Sequence, residues 1–171
     1  IANVMAKYPY VTIISDEIYE YINYDGKHTS IAEFPQVYEQ TAVINGMSKA
    51  FAMTGWRIGY SACPEWLADA CDKLQGQVTS GANTVAQRAS IVGLETDPKD
   101  YYYMVESFEK RRNLVYELLK EVHGFKVNLP KADFYVFTNI SYYTGKTIDG
   151  VVINNSDNYG MFVLEKAHVA C

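Results

Sequence analysis

The chain has 171 residues, 49% hydrophobic and 20% charged, with only 5 Pro and 11 Gly, so it is a globular polypeptide able to bury a sizeable core and not a disordered one. Fifteen Lys and Arg stand against 20 Asp and Glu, a net charge of −5, and no basic run exceeds Lys110-Arg111-Arg112, which argues against a nucleic-acid or membrane-surface partner. Cys63, Cys71 and Cys171 form no C-x-x-C pair and are odd in number, so a reducing compartment, by default the cytoplasm, is expected in place of a disulfide framework. His28, His123 and His168 are scattered without metal-ligand spacing, and no metal site is expected. No apolar stretch approaches the ~18 residues of a membrane span, and no basic start precedes an apolar signal core. The chain begins at Ile1, and its last residues, 167–171, read as a β-type run with no polar tail, so a piece of a longer polypeptide is expected.

In chain order, residues 11–15 (V-T-I-I-S) are a β-branched run ending in polar groups, the pattern of a parallel strand buried on both faces. Residues 41–45 (T-A-V-I-N) repeat it, and 58–62 (I-G-Y-S-A) are a weaker third case, which together predict an α/β layer. Pro64 then opens a helix with Trp66, Leu67, Ala70, Cys71 and Leu74 on one stripe, and a second helix is expected over 80–94. Asp97-Pro98 reads as an N-cap followed by proline at the first helical position, and Met104, Val105, Phe108, Val115, Leu118, Leu119 and Val122 line one face of a long helix that Gly124 ends. Residues 125–128 and 134–139 are strand-like, so the chain beyond about 97 is expected to form a separate α+β unit.

Two strand ends carry polar groups where open α/β sheets bind ligands. The first is Ser15-Asp16-Glu17-Ile18-Tyr19, and the second is Asn45-Gly46-Met47-Ser48-Lys49 with the segment up to Tyr60. A carboxylate, a phenol, a lysine and an arginine at such ends suit an anionic cofactor.

The run S-K-A-F-A-M-T-G-W-R-I-G-Y, from Ser48 to Tyr60, resembles at nearly every position the cofactor-lysine signature of the pyridoxal-phosphate-dependent aminotransferases of fold type I, in the class with bacterial aspartate aminotransferases. D-E-I-Y resembles that family's pyridine-binding motif, and the likeness extends through residues 80–84 and 134–137. It implies part of a large domain, a mostly parallel sheet with helices, over residues 1–97, and part of an α+β small domain over 98–171, both incomplete. By the same resemblance, Lys49 is the Schiff-base lysine, whose amine must shed its proton to attack the cofactor aldehyde and then shuttles the substrate proton. Asp16 is implied as a buried carboxylate pairing with the pyridine nitrogen, Tyr19 as a donor to the cofactor's phenolic oxygen, and Ile18 as a contact on one ring face. Arg57 is implied as a bidentate phosphate ligand, with Ser48 adding a hydroxyl. Many relatives carry serine where this chain has Gly46, so a backbone N–H is expected to serve there.

The activity implied is amino-group transfer between an amino acid, aspartate by resemblance, and a 2-oxo acid through pyridoxal 5'-phosphate, in amino-acid metabolism, with a homodimeric parent. The same lysine, aspartate and tyrosine set also suits a β-lyase or decarboxylase. A non-catalytic regulatory domain that binds the cofactor is the rival from a different class.

Overall fold

A computed structural model describes residues 1–171 and divides them into two compact units, one of residues 1–107 with 131–133 and one of 108–130 with 134–171. The first unit is built on a three-stranded sheet of order β1 (Ile13–Asp16), β2 (Thr41–Gly46) and β3 (Gly59–Ala62). β1 and β2 are parallel, with Ile13 opposite Thr41 and Asp16 opposite Ile44, whereas β3 runs antiparallel to β2, with Gly46 opposite Gly59. That last pairing is close: a Cβ on Gly59 would lie 2.9 Å from the Asn45 carbonyl oxygen, and one on Gly46 would lie 3.0 Å from the Gly59 Cα.

Burial differs from the expectation of strands covered on both faces. The central β2 buries Thr41, Ala42, Asn45 and Gly46, but β1 alternates half-buried and exposed, with Ile14 73% exposed, and β3 is exposed throughout. The physical reason is position: β1 and β3 are the two edges of the sheet, and each has a hydrogen-bonded neighbour on one side alone.

Between β1 and β2 the chain returns through two 3-10 turns, Ile31–Glu33 and Pro35–Gln40. Ser30 caps the first in a reciprocal capping box with Glu33, and Val37 of the second is buried. A short helix, α1 (Ala2–Met5), lies beside the second turn, where Gln40 donates its side-chain amide to the Met5 carbonyl at 3.2 Å.

Helix α2 (Glu65–Val78) starts where predicted, but Pro64 is its N-cap and its apolar stripe is unburied, with Trp66 61% and Leu74 67% exposed. Helix α3 (Thr84–Glu95) begins later than residue 80 because Ser80 and Gly81 adopt positive φ and Asn83 takes the capping position, accepting from the amides of Val85 and Ala86. Asp97 caps a 3-10 turn at Pro98–Asp100, and α4 (Tyr102–Lys120) follows it. None of the helices is long and apolar enough to cross a membrane.

The second unit holds the rest of α4, an antiparallel pair β4 (Lys126–Val127) and β5 (Thr138–Asn139), a hairpin β6 (Thr147–Ile148) and β7 (Val151–Val152), and α5 (Ser156–Ala167). Its centre is the fully buried Ile153, beside which Phe125, Tyr143 and Tyr159 pack together, while Phe108 stacks with the more exposed Phe134 and Tyr135. The hairpin turns at Asp149-Gly150, both at positive φ, the two-residue turn that suits the strand twist. The tail corrects the sequence reading: Ala167 closes α5, and His168 in the left-handed conformation caps it, so 167–171 form no strand. The Asn155-capped helix takes up Ala167, and residues 168–171 lie outside any helix or strand.

Gly124, at φ +89°, lies under the Tyr142 ring, which an added Cβ would meet at 2.2 Å. Gly124→Ala therefore has both a left-handed backbone penalty and a displaced ring, and a loss of about 2–4 kcal/mol in urea unfolding is expected. An unchanged unfolding midpoint would show that the ring moves freely.

Candidate active site

The carboxyl end of β1 and the carboxyl end of β2 lie side by side in register, which brings two separate stretches of sequence to one place. After Asp16 the ladder continues for one bond, from the Glu17 amide to the Ile44 carbonyl at 2.8 Å, and the chain then turns, with the Asp16 carboxylate accepting from the Ile18 amide at 3.2 Å. This turn presents Ile18 and Tyr19. After Gly46 the backbone is anchored by Met47, which is 0% exposed, and by the buried Ala50, leaving Ser48 and Lys49 half-buried between them. The loop folds back on itself, with the Met53 amide bonded to the Met47 carbonyl at 3.3 Å and the Met47 amide to the Ile58 carbonyl at 3.4 Å.

Two non-glycine residues of this loop, Ala52 and Arg57, each have φ of +53°, in the left-handed region. Such backbone strain collects where a loop must aim a side chain. Arg57 closes a 3-10 turn at Thr54–Trp56 and donates to the Thr54 carbonyl at 2.8 Å.

The result is an open cleft of about 440 Å³ lined by Asp16, Ile18, Tyr19, Ser48, Lys49 and Arg57. All six residues singled out in the sequence therefore share one cavity. The Lys49 Nζ stands 5.6 Å from the centre of the Tyr19 ring. Ile44, Asn45 and Thr54 line the same cleft; the sequence reading placed Asn45 and Thr54 in the site's segments but gave them no role, and did not place Ile44 there. Asn45 is buried and bonds the Gly46 amide at 2.7 Å, and its place at the end of the 41–45 run was the signal available for it.

One expectation is corrected. Asp16 is exposed, not buried, because the period-two alternation of β1 puts it on the same face as Ile14, and the buried carboxylate of this segment is its neighbour Glu17. Next to it lies a phenol-rich patch. Burial, followed by the charge and hydrogen bond of Glu20, pushes the Tyr21 hydroxyl up to about 12, and burial followed by the Glu20 charge raises Tyr60. Tyr21, Phe51 and Tyr101 pack edge to face at 5.3–6.3 Å between ring centres. Of the histidines, His28 pairs with Glu17 and His123 lies 2.7 Å from the Tyr142 hydroxyl.

A lysine, an arginine, one carboxylate and hydroxyl donors around one cleft at two strand ends match the resemblance read from the sequence, and residues 1–166 match the family described as aminotransferase class I and II. The chain belongs to that family. It is 42% identical over 175 residues to the bifunctional aspartate aminotransferase and glutamate/aspartate-prephenate aminotransferase of Petunia hybrida, a match covering 99% of this chain and 36% of the relative. The crystal structure of the aspartate aminotransferase from Rhizobium meliloti superposes with a TM-score of 0.91 at 36% identity, over 98% of this chain and 43% of that one. The aromatic aminotransferase from Pyrococcus horikoshii superposes with a TM-score of 0.85 at 34% identity, over 99% of this chain and 43% of that one. The fold is thus the α/β fold type I of the pyridoxal-phosphate-dependent aminotransferases, and the chain spans 36–43% of the length of these relatives.

Proposed function

We propose that this chain is the central portion of an aminotransferase that moves an amino group between an amino acid, with aspartate favoured, and a 2-oxo acid. The observation that carries this reading is the meeting of Asp16, Ile18, Tyr19, Ser48, Lys49 and Arg57 around one cleft. Their chemistry fits pyridoxal 5'-phosphate: an amine for its aldehyde, a guanidinium for its phosphate, a carboxylate for a protonated ring nitrogen, a phenol and a hydroxyl for its oxygens, and an apolar side chain for its flat face. When bound, that cofactor supplies an electron sink for the charge left on a substrate α-carbon.

Each residue has a part in this reading. Lys49, as its neutral amine, would hold the cofactor through the aldehyde, and the freed amine would move the proton from the substrate α-carbon to the former aldehyde carbon of the cofactor. Asp16 would hold a proton on the ring nitrogen, Tyr19 would donate to the phenolic oxygen, and Ile18 would press on one face of the ring. Arg57, through its guanidinium, and Ser48, through its hydroxyl, would hold the phosphate. The same proposal includes a large-domain portion over 1–97, a small-domain portion over 98–171, and a homodimeric, cytoplasmic parent acting in amino-acid metabolism.

The test is product analysis in the full-length protein that carries this sequence. Aspartate is expected to disappear only when 2-oxoglutarate is present, with glutamate formed in equal amount. Release of a keto acid without an acceptor identifies a β-lyase, carbon dioxide release identifies a decarboxylase, and cofactor binding with no turnover of any amino acid identifies a regulatory domain. Each of those three results contradicts the proposal.

A further inference from the structure

We propose that Glu17 is a positioning residue for the cofactor site, locking the turn that presents Asp16 and Tyr19 by bonding across to the segment at His28 and Ser30. The proposal rests on the reading of Asp16 and Tyr19 as cofactor contacts.

Glu17 lies between two cleft residues but lines no part of the cleft, and it is the only acidic or basic residue among the buried ones, at 6% exposure. Its Oε1 accepts from the Ser15 hydroxyl at 2.9 Å and the Ser30 hydroxyl at 2.7 Å, and its Oε2 lies 2.9 Å from His28 Nε2. Its amide donates to the Ile44 carbonyl, and its own carbonyl accepts from the Glu20 amide at 2.9 Å. Every polar group of this residue is therefore engaged, tying its turn to Ser15 and Glu20 nearby, to Ile44 across the sheet and to the segment at His28 and Ser30.

The charge environment keeps the lock closed. Burial alone would raise the Glu17 carboxyl, but hydrogen bonds from Ser30, His28 and Ser15, with the His28 charge, outweigh it and hold it below the ordinary carboxylate range. Glu20 brings a carboxylate oxygen within 4.8 Å of the Glu17 and His28 ligand atoms, and Glu33, which caps Ser30, is paired with Lys27. A buried carboxylate adds little to stability compared with a well-packed apolar side chain, and its clearest use is to specify one arrangement over others. Here that arrangement is the direction of the Asp16 carboxylate, set before any ligand arrives, in the way preorganised sites avoid reorganisation during reaction.

The experiment uses the full-length protein with Glu17→Gln and with His28→Ala, which leaves the carboxylate in place and keeps the test available if the first variant folds poorly. Amide exchange in the cofactor-free protein is read on the peptide spanning 15–22, together with kcat and KM for aspartate, each also in an Asp16→Asn background. Glu17→Gln is expected to speed exchange there by about fivefold or more, and to lower kcat by about tenfold with KM within about twofold. His28→Ala should give the same pattern at smaller size. In the Asp16→Asn background each variant should lower kcat by clearly less than it does in the wild type, because part of its effect acts through that carboxylate. Unchanged exchange and kcat overturn the proposal, as does an equal further loss of kcat on top of Asp16→Asn. If Asp16→Asn alone retains full turnover, the reading of Asp16 fails and the proposal falls with it, an outcome that this one variant separates from the others.

Discussion

Lys49→Ala is expected to abolish amino-group transfer, lowering kcat in the full-length protein by about 10⁴-fold or more. Two functions are lost with one amine. The first is the nucleophile that meets the cofactor aldehyde, and the second is the tethered base, a role worth roughly 10²–10⁴-fold by itself. Tethering adds to this, since a base in solution must find the α-carbon at random. The structure supports the placement: Lys49 is half-buried between the anchors Met47 and Ala50, at the end of β2, with its amine against the Tyr19 ring. Lys49→Arg should be as inactive as Lys49→Ala, because a guanidinium keeps the positive charge but stays protonated and cannot serve as nucleophile or base. Steady-state kinetics on both variants checks this, and recovery of even a tenth of wild-type kcat in Lys49→Arg would assign the lysine a purely electrostatic part.

Asp16→Asn is expected to lower kcat by about 10²–10³-fold while changing cofactor affinity by less than about tenfold. The asymmetry follows from geometry. Asparagine keeps the side-chain oxygen that accepts from the Ile18 amide, so the turn carrying Ile18 and Tyr19 is preserved. Arg57 and Ser48 line the same cleft and are untouched, so the phosphate contacts remain. What disappears is the negative charge that holds a proton on the ring nitrogen, and with it the stabilisation of charge on the substrate α-carbon. Kinetics together with a cofactor titration separates the two effects, and a variant with normal kcat and weakened binding would reverse the assignment.

Much of the site was legible in the sequence because its residues follow two β-branched runs, which mark strand ends wherever they occur. The ends of β1 and β2 delivered Asp16, Ile18, Tyr19, Ser48 and Lys49 to one cleft, and the downstream signature delivered Arg57. Burial was harder to read. Composition shows that residues 13–16 are strand-forming but not that β1 is an edge, so neither the exposure of Asp16 nor the burial of Glu17 followed from the run itself. Strand direction is likewise invisible to periodicity, and β3 runs antiparallel to β2 with Gly46 opposite Gly59. The helical stripe of α2 was legible as a stripe, yet its burial was not, and Trp66 and Leu74 stand exposed. The Asp149-Gly150 hairpin carried a readable turn signal that short two-residue strands obscured.

The central claim is that Lys49 is the residue that takes up the cofactor. The direct measurement is borohydride reduction of the full-length protein with pyridoxal 5'-phosphate, followed by proteolysis and mass spectrometry of the modified peptides. The account predicts one stoichiometric adduct, on the peptide containing Lys49, and its absence from Lys49→Ala. Stoichiometric modification of another lysine, with the Lys49 peptide unmodified, would contradict it.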